Sequence, residues 1–450
     1  MFQNKIVAQQ KNNQQKNYTI SNIVFNGNKV TKPFLLLREM NVGIGDRIEE
    51  KEINEVLETN KARLLNLQLF SNVDAKYSLQ TDSNIELIFN VNEIFYWVGY
   101  PIFSLADRNF NTWWMEQNHR LDRTNIGINV NRINFRGRNE TIGIEAQAGY
   151  NKHLLLYYKI PYIDKKLRQG LRMEMAFNTG REIQNETKNN KQFFFTDTKI
   201  YPYQNYKIEA AWTYRPAYAL THEIVLGFND WKISKKLFQE TPHFLGGTQS
   251  LSYFELRYKI NYNKTDSRIY PFNGINVTSI IAQKGLSKNK EMNQFSITSD
   301  LNFYKSFFRN NSFSFQIRSR YSVPDVQPYF NYRALGFKNE YVRGYEFYVI
   351  DGSHYFIGRT SIRQKLFESV LENTLMSKFN RFPVSLIAKT YYDFGKVYAQ
   401  FPQNNTLSNT FLQGYGVGLD VVLSYYAVFR IEYSLNHLNQ KGLFLHGRKE

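Results

Sequence analysis

Arg343 and Asp393 have the most specific chemistry in this sequence, because an arginine and a carboxylate can form a bidentate pair. Arg343 is followed by Gly344 inside the stretch YVRGYEFYVIDG, residues 341–352. The guanidinium is a planar fork of donors that matches a fixed carboxylate. Glycine adopts backbone angles that are closed to other residues. Together these residues predict a loop that enters a confined space and holds an ion pair there.

Asp393 lies in a segment whose residues alternate in polarity, VSLIAKTYYDFG. The apolar face carries Val384, Leu386, Ala388, Tyr392 and Phe394. The polar face carries Ser385, Lys389 and Asp393. This parity predicts that Asp393 points into the interior of a barrel, where a partly desolvated pair with Arg343 would be costly to break from one side. The alternative is that Asp393 is a solvated interior charge paired with Lys389.

Sequence motifs of enzymes are absent. There is no GxSxG elbow, no HExxH motif and no glycine-rich phosphate loop. The seven histidines are scattered, with none at metal-ligand spacing, and cysteine is absent. The sequence therefore predicts a protein that is not an enzyme, with no cofactor and no metal site, and it excludes disulfides.

The composition is basic and rich in aromatic residues. The 450 residues include 57 Lys and Arg against 39 Asp and Glu, a net charge of +18, and 16% are aromatic. The basic residues are dispersed along the chain, so nucleic acid is not the predicted partner. Contact with the anionic headgroups of a lipid bilayer is the more natural use of this charge. Aromatic residues spread through polar sequence are typical of a barrel with girdles at the membrane interfaces.

A small α+β unit is predicted from residue 18 to residue 92. A strand, TISNIVFNGN, precedes a helix for which Thr31 is the expected N-cap and Pro33 lies in the first turn. A second helix is expected over 49–67, with an apolar stripe that Asn60 interrupts. Two strands, SNVDAKYSL and NIELIFNVN, complete the unit.

Two segments flank this unit. Residues 1–17 are expected to be disordered or the remnant of a signal peptide, since MFQNKIVAQQ lacks a full apolar core. Residues 93–123 are aromatic and irregular, and they are predicted to form a joint that includes Trp113 and Trp114. Adjacent tryptophans suit a membrane interface or the packing of a linker.

Alternating strands dominate from Thr124 to the C-terminus, residues 124–450. Each segment is roughly ten residues long, as a tilted membrane strand requires. About sixteen such strands exceed what a simple soluble sandwich contains, and a closed barrel leaves no unpaired edge in lipid. The predicted fold class is therefore an all-β transmembrane barrel of about sixteen antiparallel strands, preceded by one small α+β domain.

The loop and strand motifs resemble those of one family of barrels. VRGY, comprising Val342, Arg343, Gly344 and Tyr345, resembles the sixth extracellular loop of the BamA/TamA superfamily of outer-membrane assembly barrels. The resemblance implies that the loop folds back into the barrel interior and that its arginine contacts acidic residues on the inner wall. YYDFGKVY at 391–398 is similar to the inner-wall DxG motif of that family, so Asp393 and Gly395 are the implied partners.

The N-terminal unit resembles a POTRA domain in its β-α-α-β-β order and in the phrases VFNGN, LREM and LFSNV. The resemblance implies a Bacteroidota-like member with a single POTRA domain in the periplasm. Such domains bind extended chains by adding a strand to a sheet edge. With this unit in the periplasm, the first barrel strand rises outward. The eleventh strand, about 311–322, rises too, so the loop that follows it starts outside the cell.

The resemblance implies an outer-membrane factor for protein assembly, insertion or translocation. Its expected partners are unfolded outer-membrane proteins or translocated clients, the lipid bilayer, and periplasmic or lipoprotein accessory subunits. Clients would pass at a weak seam between the first strand, with Ile128 and Val130, and the last strand, with Leu443 and Leu445. A passive pore or scaffolding barrel is the main alternative, and a two-partner-secretion transporter is a third.

Overall fold

The computed structural model describes residues 16–449, with the exception of 165, 198, 287–290, 309, 338–339, 373–380, 403 and 424–426. Residues 1–15, most of the segment expected to be disordered or a signal remnant, lie outside the described residues. The chain divides into two compact units. They comprise the described residues within 1–95 and 136–139, and those within 96–135 and 140–450.

The first unit is a four-stranded sheet with two helices. Its elements are β1 (Asn17–Asn26), α1 (Pro33–Glu39), β2 (Arg47–Glu49), α2 (Ile53–Leu65), β3 (Phe70–Leu79) and β4 (Asn84–Glu93). The strand order is β2-β1-β4-β3, with β1 and β4 parallel and the outer pairs antiparallel. The predicted α+β order is observed, with the three-residue β2 added between the helices.

The core of the first unit follows the alternation of β4. Ile85, Leu87, Phe89 and Val91 are all buried, as their period of two predicts for one face of a sheet. Asn60 is also fully buried in α2. Its side-chain oxygen accepts a hydrogen bond from the Asn41 backbone N–H at 2.9 Å. The residue that interrupts the apolar stripe therefore holds the end of α1 against α2.

The predicted cap of α1 is wrong by one residue. The N-cap is Lys32, which makes no side-chain capping bond, and Pro33 opens the helix. The Thr31 hydroxyl instead donates to the Glu93 carboxylate at 2.6 Å. That carboxylate also accepts from the Thr31 backbone N–H at 2.6 Å. The Thr31 side chain therefore bonds to Glu93, which is distant in sequence, and does not cap α1 as the local pattern predicted.

The second unit is built on one antiparallel sheet of sixteen strands. The strands are β5 (Trp97–Leu105), β6 (Thr124–Phe135), β7 (Glu140–Gly149), β8 (Asn151–Ile160), β9 (Gln169–Gly180), β12 (Tyr203–Ala217), β13 (Leu220–Ile233), β14 (Ser250–Thr265), β15 (Gly274–Lys284), β16 (Gln294–Phe308), β17 (Asn311–Val323), β20 (His354–Glu372), β21 (Arg381–Tyr398), β22 (Phe411–Leu423), β23 (Ala427–Asn436) and β24 (Lys441–Lys449). Each strand pairs with the next strand of this series along the chain.

Shorter elements lie between these strands. They are α3 (Phe110–Met115), α4 (Lys235–Glu240), a hairpin of β10 (Glu182–Lys188) and β11 (Lys191–Thr196), and a small pair of β18 (Arg333–Leu335) and β19 (Ile350–Asp351). None of the described helices has the length and apolar character needed to cross a lipid bilayer.

The first strand of the sheet is β5, so the expectation that residues 93–123 only join the units and that the barrel begins at Thr124 is corrected. β5 pairs with β6 along its whole length. Pro101 lies in its middle, where it cannot donate to a ladder. This proline is tolerated because β5 is an edge strand with one partner. The strand count from Thr124 is corrected as well, because β17, which precedes the VRGY loop, is the tenth sheet strand from Thr124 and the eleventh only when β5 is included.

Candidate functional site

The VRGY loop is packed against the inner wall of the sheet, whose interior we call the lumen. Val342 and Tyr345 are buried in an apolar cluster that also contains strand residues. Its other members are Ala334, Leu335, Ile350, Tyr355, Ile357, Val397, Leu407 and Leu412. The Tyr345 hydroxyl donates to the Gln413 carbonyl of β22 at 3.1 Å. The loop is therefore a packed element of the lumen.

Arg343 and Asp393 form the predicted pair. The guanidinium donates from Nε to Asp393 Oδ2 at 2.8 Å and from Nη2 to Oδ1 at 2.5 Å. The Arg343 backbone N–H also donates to Oδ2 at 3.2 Å. Asp393 is 0% exposed and Arg343 is 7% exposed. The fork fits the carboxylate in the bidentate geometry that gives such pairs strength and orientation.

Further groups surround the guanidinium. Its Nη1 lies 3.3 Å from Glu432 Oε1 on β23, and Nη2 donates to Ser361 Oγ on β20 at 3.3 Å. The Arg343 Cζ atom lies 3.7 Å from the ring centroid of Tyr391, a cation–π contact. Burial lowers the pKa of Arg343, but the Asp393 and Glu432 carboxylates outweigh it and hold that pKa well above its ordinary value.

Lys389 is bonded to carboxylates other than Asp393. Its ammonium lies 2.5 Å from Asp420 Oδ1 and 2.7 Å from Glu432 Oε1. Arg343 and Lys389 therefore share Glu432 as a common acceptor. The alternative in which Asp393 is a solvated charge paired with Lys389 is wrong, because Asp393 is fully buried and bonded to the loop.

Glycines make room for the loop. Gly344 has a φ of 93°, a left-handed angle that favours glycine, and its carbonyl accepts from Asn436 Nδ2 at 2.7 Å. A Cβ atom on Gly414 of β22 would lie 1.8 Å from the Arg343 carbonyl oxygen. One on Gly395 would lie 3.0 Å from a methyl carbon of Val342. The loop backbone thus lies directly on strands that carry no side chain there.

Three residues that contact the loop were not predicted from the sequence: Gly414, Asn436 and Glu432. Gly414 begins a run, QGYGVGL, in which every second residue is glycine. A strand with no side chains on one face is a signal of close approach by another backbone, so this residue could have been found. Glu432 and Asn436 carried no such signal, because only the pairing of β22 with β23 brings them to the loop.

The two ends of the described sheet are β5 and β24, so a seam between its first and last strands would lie there. Ile128 and Val130, which were predicted to line it, are on β6 and pair with both β5 and β7. That assignment is corrected, because β5 lies outside β6. Leu443 and Leu445 are on β24, the last strand, as expected.

Helix α3 bonds to the free edge of β24. The Asn111 side chain accepts from the Leu445 backbone N–H at 3.0 Å and donates to its carbonyl at 3.3 Å. A single side-chain amide thus satisfies the same two backbone groups that a neighbouring strand would satisfy. Among the described residues, no strand pairs with this edge of β24.

The docked loop contacts both ends of the sheet. Arg108, three residues after β5, donates to the Gly336 carbonyl at 2.9 Å, and Asn109 donates to the Glu346 carbonyl at 3.1 Å. The Glu346 carboxylate lies 3.4 Å from His446 on β24. The segment that follows the first strand and the last strand itself are therefore both in contact with the docked loop.

Comparison with protein-family models agrees with the family that the sequence motifs resemble. The Omp85 superfamily domain matches residues 134–442, more than half of the chain. The chain belongs to the Omp85 superfamily. A second family model, a POTRA domain described as a surface antigen variable number repeat, matches residues 18–94 of this Omp85 protein.

Solved structures show the same fold. BamA from Haemophilus ducreyi, lacking POTRA domains 1–3, is 13% identical with a TM-score of 0.58, and the match covers 96% of this chain and 85% of that one. CdiB from Escherichia coli is 10% identical with a TM-score of 0.57, and the match covers 96% and 75%. No curated protein sequence matched the chain. The predicted superfamily and fold class are confirmed.

Arg343→Ala and Asp393→Ala should each lower the thermal stability of the barrel, because each leaves a buried charge without its main partner. We expect a loss of about 3–5 kcal/mol for each. The double variant should cost less than the sum, since the two changes remove one shared interaction. Thermal unfolding in detergent measures all three variants.

Arg318→Ala is the matched control, because Arg318 pairs with Asp300 in the same barrel but is partly exposed. The loss of stability in Arg318→Ala should be smaller than in Arg343→Ala, because solvent screens a partly exposed pair. Additive losses for Arg343 and Asp393 would show that the two residues do not interact.

Gly414→Ala should undock the loop, because the new methyl group would overlap the Arg343 carbonyl. Gly99→Ala on β5 is the control, since its Cβ would meet nothing closer than 3.9 Å. We expect faster proteolysis of the loop in Gly414→Ala and unchanged cleavage in Gly99→Ala. Equal cleavage of both variants and the wild type would contradict the close approach of the loop to β22.

Proposed function

We propose that this Omp85 protein is a non-enzymatic factor for assembly, insertion or translocation of proteins at the outer membrane. In this proposal the barrel spans the outer membrane and the POTRA domain lies in the periplasm. The partners are unfolded outer-membrane proteins or translocated clients, with periplasmic or lipoprotein accessory subunits and the bilayer itself. Nucleic acid is not a partner.

The observation that carries the proposal is the bonding of the β24 edge at Leu445. Two hydrogen bonds with Asn111, one donated and one accepted by its side chain, occupy this edge, and each hydrogen bond contributes only about 0.5–1.5 kcal/mol net. A full ladder between β5 and β24 would contribute several such bonds. The seam is therefore the weakest junction of the sheet, and a client strand that supplies its own N–H and C=O groups can replace Asn111.

The POTRA domain supplies an edge for client capture. β3 is a ten-residue strand whose described partner is β4 alone. Its outer edge is open to strand addition, which gives affinity through backbone hydrogen bonds. β2 covers only Asn17 to Thr19 of β1, at the other side of the sheet. An extended client can therefore pair with β3 without displacing a strand.

A passive pore or scaffolding barrel remains the competing function. The interior retains a cavity of about 260 Å³, bordered by Arg343, Asp420 and Glu432 among others. The docked loop occupies the lumen beside it, which disfavours a wide open channel. A pore needs the seam closed, whereas an insertion factor needs it to open, so locking the seam distinguishes the two functions.

Bridging α3 to β24 should abolish client insertion. Because the chain contains no cysteine, Asn111→Cys with Leu445→Cys provides the one thiol pair, which a short cleavable bis-thiol reagent joins. The bridge holds the edge of β24 and denies it to clients. We expect insertion of a labelled outer-membrane protein into proteoliposomes to stop on bridging and to return after cleavage.

Ile431→Cys with Leu445→Cys is the matched control. These residues are register partners on β23 and β24, and both side chains are exposed. Their bridge joins strands that are already paired, so insertion should continue. If the α3–β24 bridge leaves insertion intact, the seam does not open and the pore or scaffold becomes the better account.

The isolated fragment 16–95 should bind extended barrel peptides weakly, with backbone chemical shifts changing along β3. Strand addition requires free N–H groups, so a peptide of the same composition with proline at alternate positions should not bind. Titration followed by nuclear magnetic resonance measures both peptides. Absence of binding at millimolar peptide, or equal binding of the proline peptide, would remove the capture role.

A further inference from the structure

Glu346, Glu432 and His446 converge inside the barrel from three separate segments. Glu346 belongs to the docked loop, Glu432 to β23 and His446 to β24. One ligand-type atom from each lies within 4.8 Å of the others. Both glutamate side chains are 2% exposed. Three metal-ligating side chains thus face one buried point.

In each of these three side chains, one ligand-type atom contacts another group of the protein and the second faces this buried point. Glu346 Oε2 accepts from the Gly344 N–H at 2.8 Å, and Glu432 Oε1 lies 2.7 Å from the Lys389 ammonium. His446 Nδ1 lies 3.4 Å from the Tyr341 hydroxyl. The remaining atoms, Glu346 Oε1, Glu432 Oε2 and His446 Nε2, are buried and have no hydrogen-bond partner.

The spacing of these three atoms differs from that of hydrogen bonds. His446 Nε2 lies 3.4 Å from Glu346 Oε1 and 3.4 Å from Glu432 Oε2. Charge-assisted hydrogen bonds between an imidazolium and a carboxylate are about 2.7–2.9 Å long. Ligands about 2.0–2.2 Å from a tetrahedral Zn²⁺ lie about 3.3–3.6 Å from one another. Both His446–carboxylate distances match those between neighbouring ligands around one ion, and all three ligand-type atoms lie within 4.8 Å of one another.

We propose that Glu346, Glu432 and His446 bind a divalent transition-metal cation of the Zn²⁺ type. One nitrogen and two carboxylate oxygens are ligands that zinc accepts, and a water molecule would complete four-coordination. Gly344, Lys389 and Tyr341 hold the ligand side chains in place, as outer contacts of metal ligands do. These ligands show no metal-binding spacing along the chain because they come from distant segments.

Metal binding would join the loop to the last strand. Glu346 and His446 then share an ion, so the cation ties the docked loop to the β24 side of the seam. Because an ion that binds only the folded barrel stabilises it by mass action, zinc should raise the unfolding temperature. This site does not depend on the proposed assembly function, and its test requires no client.

The test uses full-length, tag-free protein in detergent, treated with a chelator and then dialysed against Zn²⁺. We expect one bound equivalent, a higher unfolding temperature with zinc, and, with Co²⁺ in its place, the intense visible bands of four-coordinate cobalt. Mg²⁺ should neither bind in one equivalent nor raise the unfolding temperature, since it prefers six oxygen ligands. Failure of the wild type to retain zinc would overturn the proposal.

Variants assign the ion to the three residues. Glu346→Gln and His446→Gln should each lose the bound equivalent and the thermal shift. His222→Gln is the control, because His222 lies on β13 and bonds to Tyr258 instead. Retention of zinc by both site variants would overturn the proposal. If they fail to fold, anomalous scattering at the zinc edge in wild-type crystals decides, and an ion located elsewhere contradicts the site.

Discussion

The buried pair of Arg343 and Asp393 is the interaction on which the arrangement of the lumen depends. A buried charge is tolerated only when it is paired and hydrogen-bonded. Asp393 receives three hydrogen bonds from Arg343, one of them from the backbone. The carboxylate therefore fixes the loop backbone as well as its side chain. Glu432 extends the network to Lys389 and then to Asp420, which links the loop to β21, β22 and β23.

The docked loop connects the two ends of the sheet, between which the described residues form no ladder. Its Glu346 carbonyl is bonded to Asn109 after β5, and its Glu346 carboxylate faces His446 on β24. Asn111 adds two hydrogen bonds to the Leu445 backbone of β24. Side chains can release an edge one bond at a time, whereas a ladder resists as a unit. The contacts between the two ends of the sheet are thus made by individual side chains of the loop and of α3.

The sequence predicted the loop, its arginine and the strand that holds Asp393, because both signals are local. Alternation fixed the side of β21 on which Asp393 lies, and VRGY is a contiguous motif. β5 was not predicted, because it contains Pro101 and a proline argues against a strand unless that strand lies at the edge of a sheet. Glu432 and Asn111 could not be predicted, because their contacts depend on the register of β22 with β23 and on the position of the seam. The pairing of Lys389 depends on the same register.

Hydrogen exchange at the backbone amides of Arg343 and Tyr345 tests the docked loop most directly. The Arg343 N–H donates to Asp393 and the Tyr345 N–H donates to the Val342 carbonyl at 3.1 Å, inside the lumen. Both amides should exchange slowly in the wild-type barrel, and much faster in Asp393→Asn, because exchange requires the loop to leave its site. Val326, which is 62% exposed, should exchange rapidly in both proteins. If the Arg343 and Tyr345 amides exchange as fast as that of Val326 in the wild type, the loop is not held in the lumen by this pair.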